Sequence, residues 1–133
     1  MELPDSNNQP LALIIEDDDK LSRIFAEALQ QAEFVIEIIE DGNTALKRLA
    51  ETVPAIVVLD LHLPYVSGDK ILRQIRADER LAKTRVILAT ADALMAESLR
   101  QDSDLVLLKP ISFMQLRDLA SRLRPHNLVI TLN

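Results

Sequence analysis

Two short apolar segments of this chain each end in carboxylates, and these acids are the residues that most clearly suggest chemistry. Residues 55–59, Ala-Ile-Val-Val-Leu, are followed by Asp60, and residues 11–15, Leu-Ala-Leu-Ile-Ile, are followed by Glu16 and Asp17. Short continuous apolar segments are typical of parallel strands buried on both faces, and open α/β sheets carry their functional groups at the carboxyl ends of such strands. We therefore expect the three acids to lie together at one edge of a sheet.

Three neighbouring carboxylates repel one another unless a positive group lies among them. Magnesium would relieve this repulsion, because it keeps several waters and binds one or two carboxylates together with phosphate oxygens. Two further apolar segments, residues 86–89 and 105–108, end at Thr90 and Lys109, which supply a hydroxyl and an ammonium for an anion. Acids, a metal, a hydroxyl and an ammonium together indicate a site that forms an aspartyl phosphate.

The remaining segments predict the elements that would position these strand ends. Residues 21–32 place apolar side chains at helical spacing, with Asp18 or Asp19 as the N-cap. Residues 34–39 are β-branched but interrupted by Glu37, which suits a strand near an edge of the sheet. Further helices are predicted after Gly42, after the Ser67-Gly68 turn, over residues 91–99 and over residues 113–123, the last with Ser112 and Gln115 as a capping box.

Five strands alternating with five helices predict a flavodoxin-like, three-layer αβα sandwich of the α/β class. Right-handed crossovers would build a five-stranded parallel sheet, with strand order 2-1-3-4-5 as the natural candidate. In that order the first and third strands are neighbours. This neighbourhood would bring Asp17 beside Asp60.

The composition suits a single globular domain. The chain has 133 residues, 48% of them hydrophobic, and no cysteine, which excludes disulfides and thiolate metal sites. Its net charge of −6 argues against direct nucleic-acid binding through a basic face. No signal peptide or membrane span is predicted, so a cytoplasmic location is expected. We predict a flexible arm at residues 1–10, one domain at residues 11–124 and a C-terminal tail of unknown role at residues 125–133.

The motifs at the strand ends resemble those of the receiver domains of two-component response regulators, and the resemblance covers residues 11–124. All of the motifs occur in the expected order at the expected strand ends. They are the pair Glu16-Asp17, the loop Asp60-Leu61-His62-Leu63-Pro64 closed by Ser67-Gly68, Thr90 followed by the small Ala91, and Lys109-Pro110.

This resemblance implies a phosphoryl-accepting signalling switch rather than an enzyme. Asp60 would accept a phosphoryl group from the phosphohistidine of a sensor histidine kinase or a histidine phosphotransfer protein. Asp17 and Asp60 would bind Mg²⁺ directly, Glu16 would act through a water molecule, and the backbone carbonyl of His62 would be a further ligand. We expect the side chain of His62 to be a spectator.

The same resemblance assigns roles on the other side of the site. Thr90, the backbone of Ala91 and the side chain of Lys109 would bind phosphoryl oxygens, and the bond between Lys109 and Pro110 would be cis. The expected partners are the phosphoryl donor and a downstream protein or output domain, without membrane contact, and a homodimer is also compatible with the family.

Two features depart from the family pattern, and two other functions stay open. Val106 occupies the place of the aromatic residue that many receivers carry three residues before the lysine, and the segment between Thr90 and Lys109 is short and lacks the usual Ala-Gly-Ala turn. We therefore expect the conformational change on phosphorylation to concentrate in residues 91–103.

A haloacid-dehalogenase-like phosphatase would need an Asp where His62 stands. A receiver-like adaptor that is never phosphorylated is the other alternative.

Overall fold

The computed structural model describes residues 9–125. The predicted arm at residues 1–10 and the tail at residues 125–133 lie mostly outside this range, so those boundaries stay predictions. The strands are β1 (Leu11–Ile15), β2 (Val35–Ile39), β3 (Ile56–Leu59), β4 (Arg85–Thr90) and β5 (Leu105–Leu108). The helices are α1 (Asp19–Gln31), α2 (Gly42–Glu51), α3 (Gly68–Ala77), α4 (Ala93–Ser98) and α5 (Phe113–Leu123), with single 3₁₀ turns at Glu79–Leu81 and Arg100–Asp102.

The strands form one parallel sheet in the order β2-β1-β3-β4-β5, which confirms the predicted topology. Ile15 is paired with Leu59, so β1 and β3 end level with each other, and Leu59 is paired with Leu88, so β4 continues two residues further to Thr90. The level strand ends place the residues that follow these strands at one edge of the sheet. This alignment of the central strands positions the predicted site.

Each face of the sheet is covered by its own hydrophobic core. On β1, Leu13 and Ile15 pack into the core under α2 and α3, whereas Ala12 and Ile14 pack into the core under α1 and α5. All four side chains are fully buried, because successive residues of a strand point to opposite faces and both faces carry helices. This double burial explains why the central strands are apolar without interruption.

The edge position predicted for the second strand is confirmed. In β2, Val35 and Ile38 stay partly exposed, and the carboxylate of Glu37 binds Arg48 of α2 through two nitrogens at 2.6 and 2.9 Å. The charged residue that interrupts the apolar pattern therefore has a partner on a neighbouring helix. Among the described helices none is long and apolar enough to cross a membrane.

The structure selects one of the two predicted caps of α1 and confirms Ser112 as the cap of α5. Asp18, not Asp19, caps α1 by accepting a hydrogen bond from the backbone N–H of Leu21, and Ser112 accepts one from Gln115 at the start of α5. The fourth helix is shorter than the predicted range of 91–99. It begins at Ala93 because Asp92 keeps a non-helical backbone and caps it.

Candidate functional site

The three acids predicted to converge do so at the carboxyl edge of the sheet. One carboxylate oxygen from each of Glu16, Asp17 and Asp60 lies within 4.8 Å of the others. Backbone hydrogen bonds extend the sheet one residue past the strands, from Glu16 N–H to the carbonyl of Ile39 and from Asp60 N–H to the carbonyl of Ile15, both at 3.0 Å. The backbone under the acids is thus as fixed as the strands themselves.

These acids differ in their contact with solvent. Glu16 is only 2% exposed and Asp60 only 6%, whereas Asp17 is exposed. The carboxylates of Glu16 and Asp60 are therefore poorly solvated, and that of Asp17 lies at the open rim of the acid cluster. A solute approaching from solvent meets Asp17 first.

Lys109 is the only cationic side chain in residues 9–125 that makes an ion pair with the acids of this cluster. Its ammonium Nζ lies 2.8 Å from Glu16 Oε1 and 3.6 Å from Asp60 Oδ2. Glu16 Oε1 nevertheless has no hydrogen-bond partner among the described residues, so the short contact with Lys109 is an ion pair without hydrogen-bond geometry. A buried carboxylate oxygen without a hydrogen bond is rare in folded proteins, and such an atom can still bind a ligand.

The pKa values of Glu16 and Lys109 are both shifted by these contacts and by burial. Burial raises the pKa of Glu16 above its ordinary value, the charge of Asp60 adds to the effect, and the contacts with Lys109 and the amide of Asp18 only partly oppose it. Burial by itself would lower the pKa of Lys109, but the carboxylates of Glu16 and Asp60 together raise it. A single ammonium therefore compensates the acid charge only in part.

The donor set of the cluster suits a hard divalent cation. It consists of oxygen atoms alone, it includes a buried oxygen without a hydrogen bond, and it opens to solvent at Asp17. Magnesium prefers such oxygen ligands and keeps part of its hydration shell, which the open rim allows. Glu16, Asp17 and Asp60 are the residues that could hold it.

Two glycines hold the loop after Asp60 in place through close backbone approach. A Cβ at Gly68 would lie 2.3 Å from the carbonyl oxygen of Asp60, and a Cβ at Gly42 would lie 2.2 Å from that of Val66. The backbone N–H of Gly68 also donates to Leu61 at 2.9 Å. Neither glycine has a positive φ, so space and not backbone freedom requires glycine here.

The far side of the site is built by β4 and β5. Thr90, the last residue of β4, is fully buried, and its carbonyl accepts a hydrogen bond from the backbone N–H of Lys109 at 2.9 Å. Ala91 follows it and is exposed. The bond between Lys109 and Pro110 is cis. The structure thus gathers the predicted residues at the ends of β1, β3, β4 and β5 at one edge of the sheet.

The side chain of His62 contacts a residue that the sequence did not single out. His62 Nε2 lies 3.0 Å from Asp92 Oδ2, while Asp92 Oδ1 accepts the N–H of Met95 and caps α4. The backbone N–H of Asp92 donates to Thr90 Oγ1 at 3.0 Å. The amide of Met95, and to a smaller extent His62, lowers the pKa of Asp92. Asp92 therefore connects the loop after Asp60 to Thr90 and to α4.

Comparison with known proteins identifies the family of this chain. The model of the family "Response regulator receiver domain" matches residues 12–121. The chain is 32% identical over 87 residues to the hybrid signal transduction histidine kinase D of Dictyostelium discoideum, which covers 65% of this chain and 6% of that protein. It is 33% identical over 90 residues to the transcriptional regulatory protein BaeR of Escherichia coli O6:H1, which covers 68% of this chain and 36% of that protein.

A solved structure extends the similarity to the fold. The beryllofluoride-activated receiver domain of DrrB from Thermotoga maritima is 26% identical and superimposes with a TM-score of 0.76, covering 86% of this chain and 97% of that one. The chain thus spans nearly all of this solved receiver domain but only a small part of both curated relatives. It belongs to the family of receiver domains of two-component response regulators.

Proposed function

We propose that this receiver domain is the phosphoryl-accepting switch of a two-component phosphorelay and that Asp60 is the acceptor. The observation that carries the proposal is the position of Asp60. It is a nearly buried carboxylate at the end of a central strand, grouped with Glu16 and Asp17 and 3.6 Å from the ammonium of Lys109. Acids and an ammonium around one carboxylate can bind a metal on one side and a phosphoryl group on the other.

The acid cluster would hold Mg²⁺, as receiver domains do at this position. Asp17 and Asp60 would be direct ligands, Glu16 would act through water, and the His62 backbone carbonyl would complete the protein ligands. When bound, the ion supplies positive charge that neutralises the phosphoryl oxygens during transfer. The buried Glu16 oxygen without a hydrogen bond supports this role.

The transfer itself would exchange one bond to phosphorus for another. A carboxylate oxygen of Asp60 attacks the phosphorus of a phosphohistidine, a P–O bond forms, and the P–N bond breaks as the imidazole leaves. Lys109 would turn from the carboxylates to a phosphoryl oxygen, and the hydroxyl of Thr90 and the backbone N–H of Ala91 would donate to others. These groups bind the charge that the new acyl phosphate carries.

The proposal includes the domain boundaries and the partners. Residues 11–124 would form the complete receiver domain, in the cytoplasm, with a histidine kinase or a histidine phosphotransfer protein as the donor. A downstream protein or output domain would bind the phosphorylated form. A second copy of the domain, in a homodimer, could also be this partner. The net charge of −6 argues against direct binding of nucleic acid by this domain.

Phosphorylation with a small donor tests the acceptor. Incubation with acetyl phosphate and Mg²⁺, followed by intact mass measurement, should add one phosphoryl group to the wild type and none to Asp60→Asn. Asp18→Asn is the matched control, because Asn also caps a helix and the change removes one acid next to the cluster. A phosphoryl group retained by Asp60→Asn would place the acceptor elsewhere, and none on the wild type would favour the adaptor.

The output route is a second part of the proposal. Val106 is too small and too stiff at χ1 to act as the rotating aromatic of other receivers, whereas Asp92 joins Thr90 directly to the start of α4. Movement of Thr90 toward the phosphoryl group would therefore disturb residues 91–103. Hydrogen exchange with and without beryllofluoride should show its largest changes there, and changes confined to other segments would contradict this route.

A further inference from the structure

A cleft of about 900 Å³ lies at the end of the sheet opposite the acid cluster. It opens where β4 and β5 begin and where α3 and α5 end, so no residue of the candidate site takes part in it. Its size falls in the range typical of small-molecule sites. The cleft is therefore a separate feature of the fold that the phosphoryl-accepting function does not use.

The lining of this cleft carries the opposite charge to the rest of the chain. Five cationic side chains and two acidic ones line it, which gives a net formal charge of +3 in a chain of net charge −6. The cationic residues come from three different parts of the chain and are Arg76, Lys83, Arg85, Arg122 and Arg124. A concave surface with one sign of charge concentrates counter-ions of the other sign.

One arginine and one acid of this set form the floor of the cleft. Arg76 donates to the carbonyls of Asp102 and Thr84 at 2.7 and 2.9 Å and to the carboxylate of Asp104 at 3.0 Å. Asp104 also accepts from the backbone N–H of Val86 and from Arg85. Each nitrogen of the Arg76 guanidinium and each oxygen of the Asp104 carboxylate therefore already makes a hydrogen bond within the protein.

The other cations of the cleft have free donors. Within residues 9–125, Lys83, Arg122 and Arg124 make no ion pair, and Arg85 uses one terminal nitrogen on Asp104 at 3.1 Å. Arg122 and Arg124 lie at the carboxyl end of α5, where positive charge also favours the helix dipole. That role does not account for Lys83 and Arg85, which come from the loop before β4 and from its first residue. Lys83 and Arg122 have no ion-pair partner in the described chain, and most of the donors of Arg85 are unused, so together with Arg124 they can bind an anion in the cleft.

We propose that this cleft binds a small, multiply charged phosphate anion. Free donors on Lys83, Arg85, Arg122 and Arg124 would bind its oxygens, and Leu123 and Pro125 give the wall an apolar part on which an organic body could rest. Lysine and arginine both bind phosphate, arginine with paired N–H groups. The shared chemistry is a di- or triphosphate, either inorganic or carried by a nucleoside.

Titration followed by NMR tests the site on the intact chain. ATP and inorganic triphosphate are added separately in the presence of EDTA, which keeps metal away from the acid cluster. Either anion should shift the amides of Thr84 and Ser103, which line the cleft, and leave that of Asp17 unchanged. Binding by inorganic triphosphate as tight as by ATP assigns recognition to the phosphates alone, and tighter binding by ATP adds the nucleoside.

The variants use residues whose loss should not disturb the fold. Lys83→Gln with Arg122→Gln removes two cations without a partner in the described chain and should weaken binding about tenfold for each lost charge-assisted contact. Lys20→Gln with Arg23→Gln removes the same charge on α1, away from the cleft, and should bind as the wild type does. Asp60→Asn should also bind unchanged, so this test is independent of the phosphorelay proposal. Equal losses in both double variants, or no shifts at millimolar anion, would overturn the site.

Discussion

The acids at the two ends of the sheet differ in how their carboxylate oxygens are bound. At the amino end, the carboxylate of Asp104 is bound by Arg76, by Arg85 and by the backbone N–H of Val86, so both of its oxygens are used. At the carboxyl end, Glu16 is more deeply buried, yet one of its oxygens has no hydrogen bond within residues 9–125. The difference separates two kinds of acid. A satisfied carboxylate holds elements together, and an unsatisfied one is available to a ligand.

The largest loss of stability is expected from replacing Asp104, the acid whose two oxygens are both bound. Asp104→Ala removes the partner of two arginines and of a backbone amide, and its side chain and that of Arg76 are only 21% and 27% exposed. We expect the free energy of unfolding to fall by about 2–3 kcal/mol, because a partly buried guanidinium loses its counter-charge. Urea unfolding measures this. A loss below about 0.5 kcal/mol would show that solvent replaces these bonds and that Asp104 is not structural.

A pair of glycine variants distinguishes an effect on stability from an effect on the phosphorylation of Asp60. Gly68→Ala and Gly42→Ala both force a Cβ against a carbonyl oxygen, so each should lower the free energy of unfolding by about 1–3 kcal/mol. Only the Gly68 contact is to Asp60 itself. At temperatures where both variants are folded, acetyl phosphate should therefore phosphorylate Gly68→Ala more slowly than Gly42→Ala. Equal rates would mean that the position of Asp60 does not depend on this contact.

The smallest change in stability is expected from Mg²⁺ at the acid cluster. Magnesium should raise the thermal midpoint at neutral pH, because under the proposed function it would bind the native acid cluster and relieve its repulsion. At a tenfold excess over its dissociation constant the gain is about 1.4 kcal/mol. Asp17→Asn should remove most of this gain, whereas Asp19→Asn, which changes an acid paired with Arg23, should keep it. The same gain in wild type and Asp17→Asn would place the ion at another site.

The fold and the convergence of the acids could be predicted because both depend on local pattern. Continuous apolar segments identified the buried strands, and the strand order then placed Glu16, Asp17 and Asp60 at one edge. The length of α4 was predicted less well, since Asp92 caps it two residues after β4 ends. Short helices depend on such a cap more than on periodicity, which needs several turns to be recognised.

Contacts between distant residues could not be predicted from the sequence. His62 and Asp92 are 30 positions apart, and Arg76 and Asp104 are 28 apart. No pattern within either segment selects its partner, because many surface acids and bases of this chain have equivalent neighbours in sequence. The cleft at the amino end of the sheet was missed for the same reason. Its cations lie in separate segments, and only the packing of α5 against the sheet gathers them.

The ammonium of Lys109 has a consequence for which ions the acid cluster accepts. Because Lys109 is covalently tethered 2.8 Å from Glu16, this counter-ion does not leave the cluster when the buffer is diluted. An incoming ion must therefore exchange with a tethered monovalent cation. Sodium or potassium would gain little by that exchange, whereas a divalent ion brings twice the charge to the same oxygens. We therefore expect Lys109 to favour ions of high charge density at this cluster, before coordination geometry distinguishes one divalent ion from another.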